Sequence, residues 1–167
     1  MKTQLQHEIT TTFGNLYNAL ESFTENQINT VPFEGSWTPG QVGEHLEKAL
    51  TGYPKLATLA TQQSDRAEDG KIQDIKNIFL DFSISMKSPD FLIPTNPSHN
   101  KNELLTSFRQ KQKEMQEITE NYDLSKIVVG QEVPGMGAFT LFEWLSFGLI
   151  HTQRHTHQLQ KIRTHFN

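Results

Sequence analysis

The chain contains no cysteine among its 167 residues. Disulfide bonds, thiolate metal ligands and a cysteine nucleophile are therefore excluded. Any metal ion that the chain holds must be bound by histidine, aspartate or glutamate side chains.

The sequence also lacks a long apolar run and an excess of basic residues. No stretch approaches the roughly 18 apolar residues that a membrane-spanning helix needs, and the N-terminal segment has no signal-peptide core. The formal net charge of −4 argues against a nucleic-acid surface, which requires clustered lysine and arginine. We therefore expect a cytoplasmic protein with no membrane or nucleic-acid partner.

The remaining composition is that of a folded protein. Hydrophobic residues make up 35 % of the chain and charged residues 20 %, and the length fits a single domain over residues 1–167. Apolar residues recur at steps of three and four in four long stretches, which predicts four helices. We expect the first helix to carry the apolar stripe from Leu5 to Phe23, and the second to begin near Pro39 with a Thr38/Gln41 capping box. The third should be capped near Asn100 or Asn102. The fourth should run from Leu141 to His165, with Thr140 as its cap and Glu143 at its third position.

The segments between these helices are irregular. Gly52 and Pro54 predict a kink or break at the end of the second helix, and a shorter helical pattern spans residues 72–82. Residues 87–100 form a long proline-containing crossover, and residues 128–140 are glycine-rich, which is typical of a turn or a short hairpin. We therefore predict an all-α fold: a four-helix bundle with long crossover connections and an extra short helix between helices two and three.

Three histidines occupy positions that the helical period assigns to the core. His45 lies on the second helix, and His151 and His155 are four residues apart on the fourth, where a separation of about 40° places them on one face. Such a pair can bind one divalent ion, and His45 could supply a third ligand. Neutral imidazoles suit Zn, Ni, Fe or Cu better than Mg or Ca. Hydrogen-bonded core histidines are the alternative that spacing alone leaves open.

Two segments of the chain resemble the DinB/YfiT-like superfamily, in particular its DinB_2-type members. The first is SWTPGQVGEHL at residues 36–46, and the second, about a hundred residues later, is FTLFEWLSFGLIHTQRHTHQLQKI. The similarity covers essentially the whole chain. In that superfamily a tryptophan precedes the second helix, a histidine follows on it, and an H-x-x-x-H pair on the fourth helix completes a three-histidine metal site. The matching residues here are Trp37, His45, His151 and His155, and Arg154, His155 and Gln158 match an R-H-x-x-Q pattern.

The resemblance implies a four-helix bundle, usually a homodimer, with a divalent metal near one end. For some relatives it implies thiol-dependent transferases and isomerases that use bacillithiol, mycothiol or glutathione, in which the metal lowers the pKa of the thiol so that the thiolate attacks an electrophile. An external thiol would suit a chain without cysteine.

The leading hypothesis is a metal-dependent enzyme, either a thiol-dependent S-transferase or a hydrolase, whose catalytic residues and substrate the sequence does not assign. Its rival is a non-catalytic bundle that binds metal or a small ligand as a sensor or scavenger, or that only dimerises. A third alternative is a fold whose histidines no longer bind metal. An open site beside a pocket of several hundred Å³ would favour catalysis, whereas a closed coordination sphere would favour the rival.

Three further residues are candidates for substrate binding or for supporting the ligands. Trp37 could line a pocket or belong to the core, and Arg154 could bind a substrate carboxylate or pair with an acidic residue of a neighbouring helix. Gln158 could hydrogen-bond a ligand histidine or only pack. His99 in the crossover is expected to be solvated, and His7, His157 and His165 are expected at the surface.

Overall fold

The computed structural model describes residues 1–96 and 98–166. The chain is mostly helical, and four of its helices are long. In chain order the helices are α1 (Lys2–Glu21), α2 (Glu25–Ile28), α3 (Pro39–Leu50), α4 (Tyr53–Ala57), α5 (Ile72–Phe79), α6 (Lys101–Asn121) and α7 (Leu141–Arg163), with a 3₁₀ turn at Asp90–Leu92 between α5 and α6.

The four long helices share one core. Helix α1 packs against α6 and α7, and α3 packs against the same two helices. The predicted stripe of α1 is fully buried from Leu5 to Leu20, which confirms its inward face. Phe23 is buried as well, but it lies beyond the helix, which ends at Glu21 with Ser22 as the C-cap.

The predicted helix starts are confirmed by their caps. The Thr38 side chain accepts a hydrogen bond from the Gln41 backbone N–H, and the Gln41 side chain accepts one from the Thr38 N–H. Thr140 and Glu143 form the same reciprocal pair at the start of α7. The Asn100 side chain caps α6. These caps satisfy backbone N–H groups that would otherwise be unpaired, so they fix where each helix begins.

The predicted break after the second helix is also present. Helix α3 ends at Leu50, and α4 begins at Tyr53 with Pro54 in its first turn. The helical pattern at residues 72–82 corresponds to α5, although that helix ends at Phe79. Helix α7 ends at Arg163 rather than at His165.

The all-α prediction was wrong in one respect, because the chain also forms a small antiparallel sheet. Strands β1 (Thr61–Gln62), β2 (Ile127–Val133) and β3 (Gly137–Thr140) pair in the order β1-β2-β3. Gly135 and Gly137 take positive φ angles in the β2–β3 turn, which glycine adopts at little steric cost. The hairpin alternative for this segment is therefore the correct one.

Among residues 1–96 and 98–166, no helix is both long enough and apolar enough to cross a bilayer.

Candidate metal centre

Helices α3 and α7 bring the three predicted histidines together. His45 comes from α3, and His151 and His155 come from successive turns of α7. The Nε2 atom of His151 lies 3.2 Å from Nε2 of His45 and 3.1 Å from Nε2 of His155. One ligand nitrogen from each ring lies within 4.8 Å of the other two. The three residues, called the histidine cluster below, could hold one metal ion.

The nitrogen separations match those that a shared ion requires. Two imidazole nitrogens bound at 2.0–2.1 Å to a tetrahedral ion are about 3.3 Å apart. The observed separations of 3.1 and 3.2 Å are close to this value. Two of the three pairs are therefore already at the spacing that a shared divalent ion requires, and the ligand nitrogens of all three rings lie within 4.8 Å of one another.

Hydrogen bonds to the opposite ring nitrogens orient two of the three rings. Nδ1 of His45 lies 2.9 Å from the backbone carbonyl oxygen of Leu92, and because a carbonyl can only accept, Nδ1 carries the proton. Nδ1 of His155 lies 2.7 Å from Oε1 of Gln158, so this nitrogen also donates. In neutral rings, both Nε2 atoms are then left with a free lone pair directed at the cluster.

Hydrogen bonds among the three rings engage the Nε2 atoms only in part. His151 can carry at most one proton on Nε2 in its neutral form, so it can donate to His45 or to His155 but not fully to both. Buried polar groups are normally paired. A cation at the centre would satisfy all three lone pairs at once.

The surroundings keep the rings neutral. Burial lowers the pKa of His45 and lowers that of His151 well below its usual range, and the neighbouring histidines act in the same direction on His151. Burial, followed by the nearby His45, lowers the pKa of His155 to about 4. Neutral imidazole is the form that binds metal, so protons do not compete for these nitrogens at neutral pH.

Aromatic side chains surround much of the cluster. The Trp37 ring centroid lies 5.2 Å from that of His45, and Phe79 and Phe147 each lie 6.2 Å from His151. His45 is only 3 % exposed, whereas His151 and His155 are partly exposed. Solvent therefore reaches parts of His151 and His155, the two cluster residues on α7.

The other candidate residues lie close to the cluster. Gln158 contacts His155 as described, and Trp37 packs against both His45 and the core. Arg154 donates to the backbone carbonyls of Phe79, the last residue of α5, and of Asp81, two residues further along the chain. Its guanidinium thus attaches the end of α5 and the residues directly after it to α7.

The remaining histidines lie apart from the cluster. His99 is not solvated as expected, because its Nε2 donates to Oε2 of Glu44 at 2.7 Å. His7, His157 and His165 are exposed, as the sequence indicated. The ring of His157 stacks on Phe82 with a centroid distance of 3.8 Å.

Sequence reasoning missed the groups that the crossover brings to His45. Besides the Leu92 carbonyl, the Ser88 hydroxyl lies 3.3 Å from His45 Nδ1. A backbone carbonyl has no sequence signature, and nothing in the crossover marks which peptide faces the ring. The one available signal was the acidic residue beside His45, Glu44, which binds this same segment.

Two surface cavities lie elsewhere on the chain. One of about 460 Å³ is lined by residues between Asn100 and Ser107 at the start of α6. The other, of about 400 Å³, lies between α4, β1 and Leu141. Neither is lined by a member of the histidine cluster, so these cavities do not supply the adjacent pocket that would favour catalysis.

A comparison with known families covers most of the chain. The family profile described as the DinB superfamily matches residues 8–159. The chain belongs to the DinB superfamily. The matched range includes all three members of the histidine cluster of this DinB-superfamily protein. No curated protein and no solved structure matches the chain.

Proposed function

We propose that this DinB-superfamily protein binds one divalent transition ion, with Zn, Ni or Fe preferred, through Nε2 of His45, His151 and His155. The observation that carries the proposal is the convergence of three Nε2 atoms, two of them from rings whose Nδ1 atoms are already engaged. Gln158 and the Leu92 carbonyl would support the ligands, because such contacts fix the ring orientation and raise ligand basicity.

We further propose that the site is catalytic, in a metal-dependent S-transferase or hydrolase. Three protein ligands leave at least one coordination position for water or substrate, as in catalytic sites. The partial exposure of His151 and His155 supports access from solvent. When bound, the ion supplies Lewis-acid chemistry that generates a nucleophile near neutral pH.

The chain's residues would shape this chemistry rather than take part in it covalently. Since the chain has no cysteine, the thiol of an S-transfer must come from an external low-molecular-weight compound. That thiol loses its proton to solvent, its sulfur forms a bond to an electrophilic carbon, and the leaving group departs with the electron pair of the broken bond. The rings of Trp37 and Phe147 would limit water around the reacting groups.

The proposed architecture is that of one DinB/YfiT-type four-helix-bundle domain over the whole chain. The packing of α1 and α3 against both α6 and α7 supports this topology. We propose a homodimer on the basis of the family resemblance, and size-exclusion chromatography with light scattering tests it.

A non-catalytic metal-binding role, as a sensor or scavenger, is the second candidate. It is favoured by the placement of the two cavities away from the histidine cluster. Such a protein would bind its ion and turn over no substrate.

Turnover measurements separate the two candidates. Zinc-, nickel- and iron-loaded protein is mixed with glutathione and an aryl halide, and separately with an activated ester, beside a chelator-treated sample. A catalytic site predicts turnover that requires the ion, disappears in His151→Ala and persists in His157→Ala. Full metal binding with no turnover across the panel would favour the non-catalytic role, and turnover that survives metal removal would contradict the catalytic proposal.

A further inference from the structure

The crossover between α5 and α6 is fastened to α3 beside the histidine cluster. Both oxygens of Glu44 accept hydrogen bonds from Thr95, whose backbone N–H lies 2.9 Å from Oε2. His99 donates to the same carboxylate at 2.7 Å. Glu44 therefore contacts residues 95 and 99 of the crossover, and Gln41 and Asn29 add hydrogen bonds to the backbone of the same two residues.

Lys48 extends this attachment by one turn of α3. Its Nζ atom lies 2.8 Å from Oε1 of Glu44 and donates to the backbone carbonyl of Ile93 at 2.7 Å. Ile93 directly follows Leu92, the residue whose carbonyl accepts from Nδ1 of His45. Residues 93 and 95, one and three positions after the carbonyl at residue 92, are thus both attached to α3.

The Glu44 carboxylate makes most of these contacts. A carboxylate has about four acceptor sites, and the crossover and Lys48 occupy them. An amide at this position would offer one acceptor oxygen in place of two.

We propose that Glu44 is a positioning residue for His45. By fastening the crossover, it holds the Leu92 carbonyl against Nδ1 of His45 and thereby selects the ring tautomer whose Nε2 lone pair faces the cluster. Glu44 itself does not contact the His45 ring, the substrate or the ion in this scheme. The consequence for metal affinity rests on the proposed function, but the selection of the tautomer does not.

The test compares Glu44→Gln with a matched control, Glu47→Gln. Glu47 lies three residues further along α3 and accepts a hydrogen bond from Ser107 on α6, so it fastens α3 to a helix instead of to the crossover. Both substitutions remove one charge from the same helix. Only the first should alter the environment of His45.

The first readout is the ring tautomer in metal-free protein. Proton–nitrogen correlation spectra of ¹⁵N-histidine-labelled protein distinguish a protonated Nδ1 from a protonated Nε2, and His45→Ala assigns the signal. The wild type and Glu47→Gln should show His45 protonated at Nδ1, and Glu44→Gln should show a mixture or the Nε2-protonated form. A wild-type tautomer retained in Glu44→Gln would overturn the proposal, as would an Nε2-protonated ring in the wild type.

The second readout is zinc affinity by competition with a chromophoric chelator. Loss of a partner that orients a ligand typically weakens metal binding by about 10–100-fold, and we expect a loss of this size in Glu44→Gln and none in Glu47→Gln. Equal affinities in the two variants would overturn the link to metal binding. A wild type that binds no zinc would contradict the proposed function, and the tautomer readout would still decide the role of Glu44.

A second variant is available if Glu44→Gln does not fold. Lys48→Met keeps the Glu44 carboxylate and removes the hydrogen bond to the Ile93 carbonyl. It should shift the His45 tautomer in the same direction by a smaller fraction, and an unchanged tautomer would overturn the proposed route through residue 93.

Discussion

Removal of one ligand should destabilise the metal-loaded protein far more than the metal-free protein. A ligand that binds only the folded state stabilises it. Zinc at about 1,000 times its Kd would contribute about 4.1 kcal/mol to the free energy of unfolding. His155→Ala removes one of three converging nitrogens, which should weaken binding at least as much as the roughly 100-fold loss seen when a supporting contact is removed. The same zinc concentration then contributes about 1.4 kcal/mol, a difference of about 2.7 kcal/mol.

In a chain of this length, that difference corresponds to a fall in Tm of about 5–11 °C in zinc. Without metal, His155→Ala loses its hydrogen bond to Gln158, worth about 1 kcal/mol. It also relieves the close approach of His155 Nε2 to His151, which offsets part of that loss. Metal-free Tm should therefore change by only a few degrees.

The assay is differential scanning fluorimetry in zinc and in EDTA, with His157→Ala as the control. His157 lies two residues from His155 and is exposed, so its replacement should shift Tm equally in both conditions. Equal losses for His155→Ala in zinc and in EDTA would refute the metal-binding role and indicate that the ring only packs.

Three other outcomes follow from the contacts. In EDTA the free energy of unfolding, measured by urea unfolding, should be constant above about pH 6.5 and should decrease as the pH falls toward 4. Burial lowers the pKa values of the histidine cluster, so the unfolded chain binds more protons than the folded chain in this range. A free energy of unfolding that does not change with pH would contradict neutral, buried rings. Gly148→Ala should destabilise the chain by about 1–3 kcal/mol, since the new Cβ would lie 2.6 Å from the hydroxyl of Tyr53. Gly14→Ala, with open space around the new Cβ, should stabilise the chain by about 0.5–1 kcal/mol. Urea unfolding compares the two variants, and equal effects would show that the Tyr53 side chain moves to accommodate the new Cβ. Arg66→Ala should destabilise by about 3–5 kcal/mol because it leaves the fully buried Glu143 carboxylate without its cation; a loss below 1 kcal/mol in the same assay would mean that solvent reaches the carboxylate.

The helix starts and the convergence of the histidines could be predicted because their causes are local. A capping box such as Thr38/Gln41 is encoded within four residues, and the i, i+4 spacing of His151 and His155 fixes their shared face. The inward position of His45 follows from the apolar period of its own helix. Two amphipathic helices that bury these faces against each other then bring the rings together.

Strand β1 and the support of His45 could not be predicted because they depend on distant partners. Strand β1 has only two residues, and it pairs Thr61 with Val128, on the far side of α5 and α6 in the chain. The Leu92 carbonyl that reaches His45 belongs to an irregular crossover, which Glu44 and Lys48 attach to α3. Neither contact leaves a periodic pattern in the sequence.

The same limit applies to Glu143. Its place in the capping box of α7 follows from its spacing to Thr140, but its ion pair with Arg66 joins the helix to a connection more than seventy residues earlier. The Oε2 atom lies 2.7 Å from Nη2 of Arg66. Local patterns thus identified the residue while leaving its main electrostatic partner undetermined.

The most direct test of the metal site is the metal content of tag-free protein after zinc loading and dialysis, measured by inductively coupled plasma mass spectrometry. The wild type and His157→Ala should retain about one ion per chain, as expected for a single three-histidine site, and His45→Ala and His151→Ala should retain almost none. Zinc absent from the wild type, or retained in both ligand variants, would contradict a metal centre shared by α3 and α7.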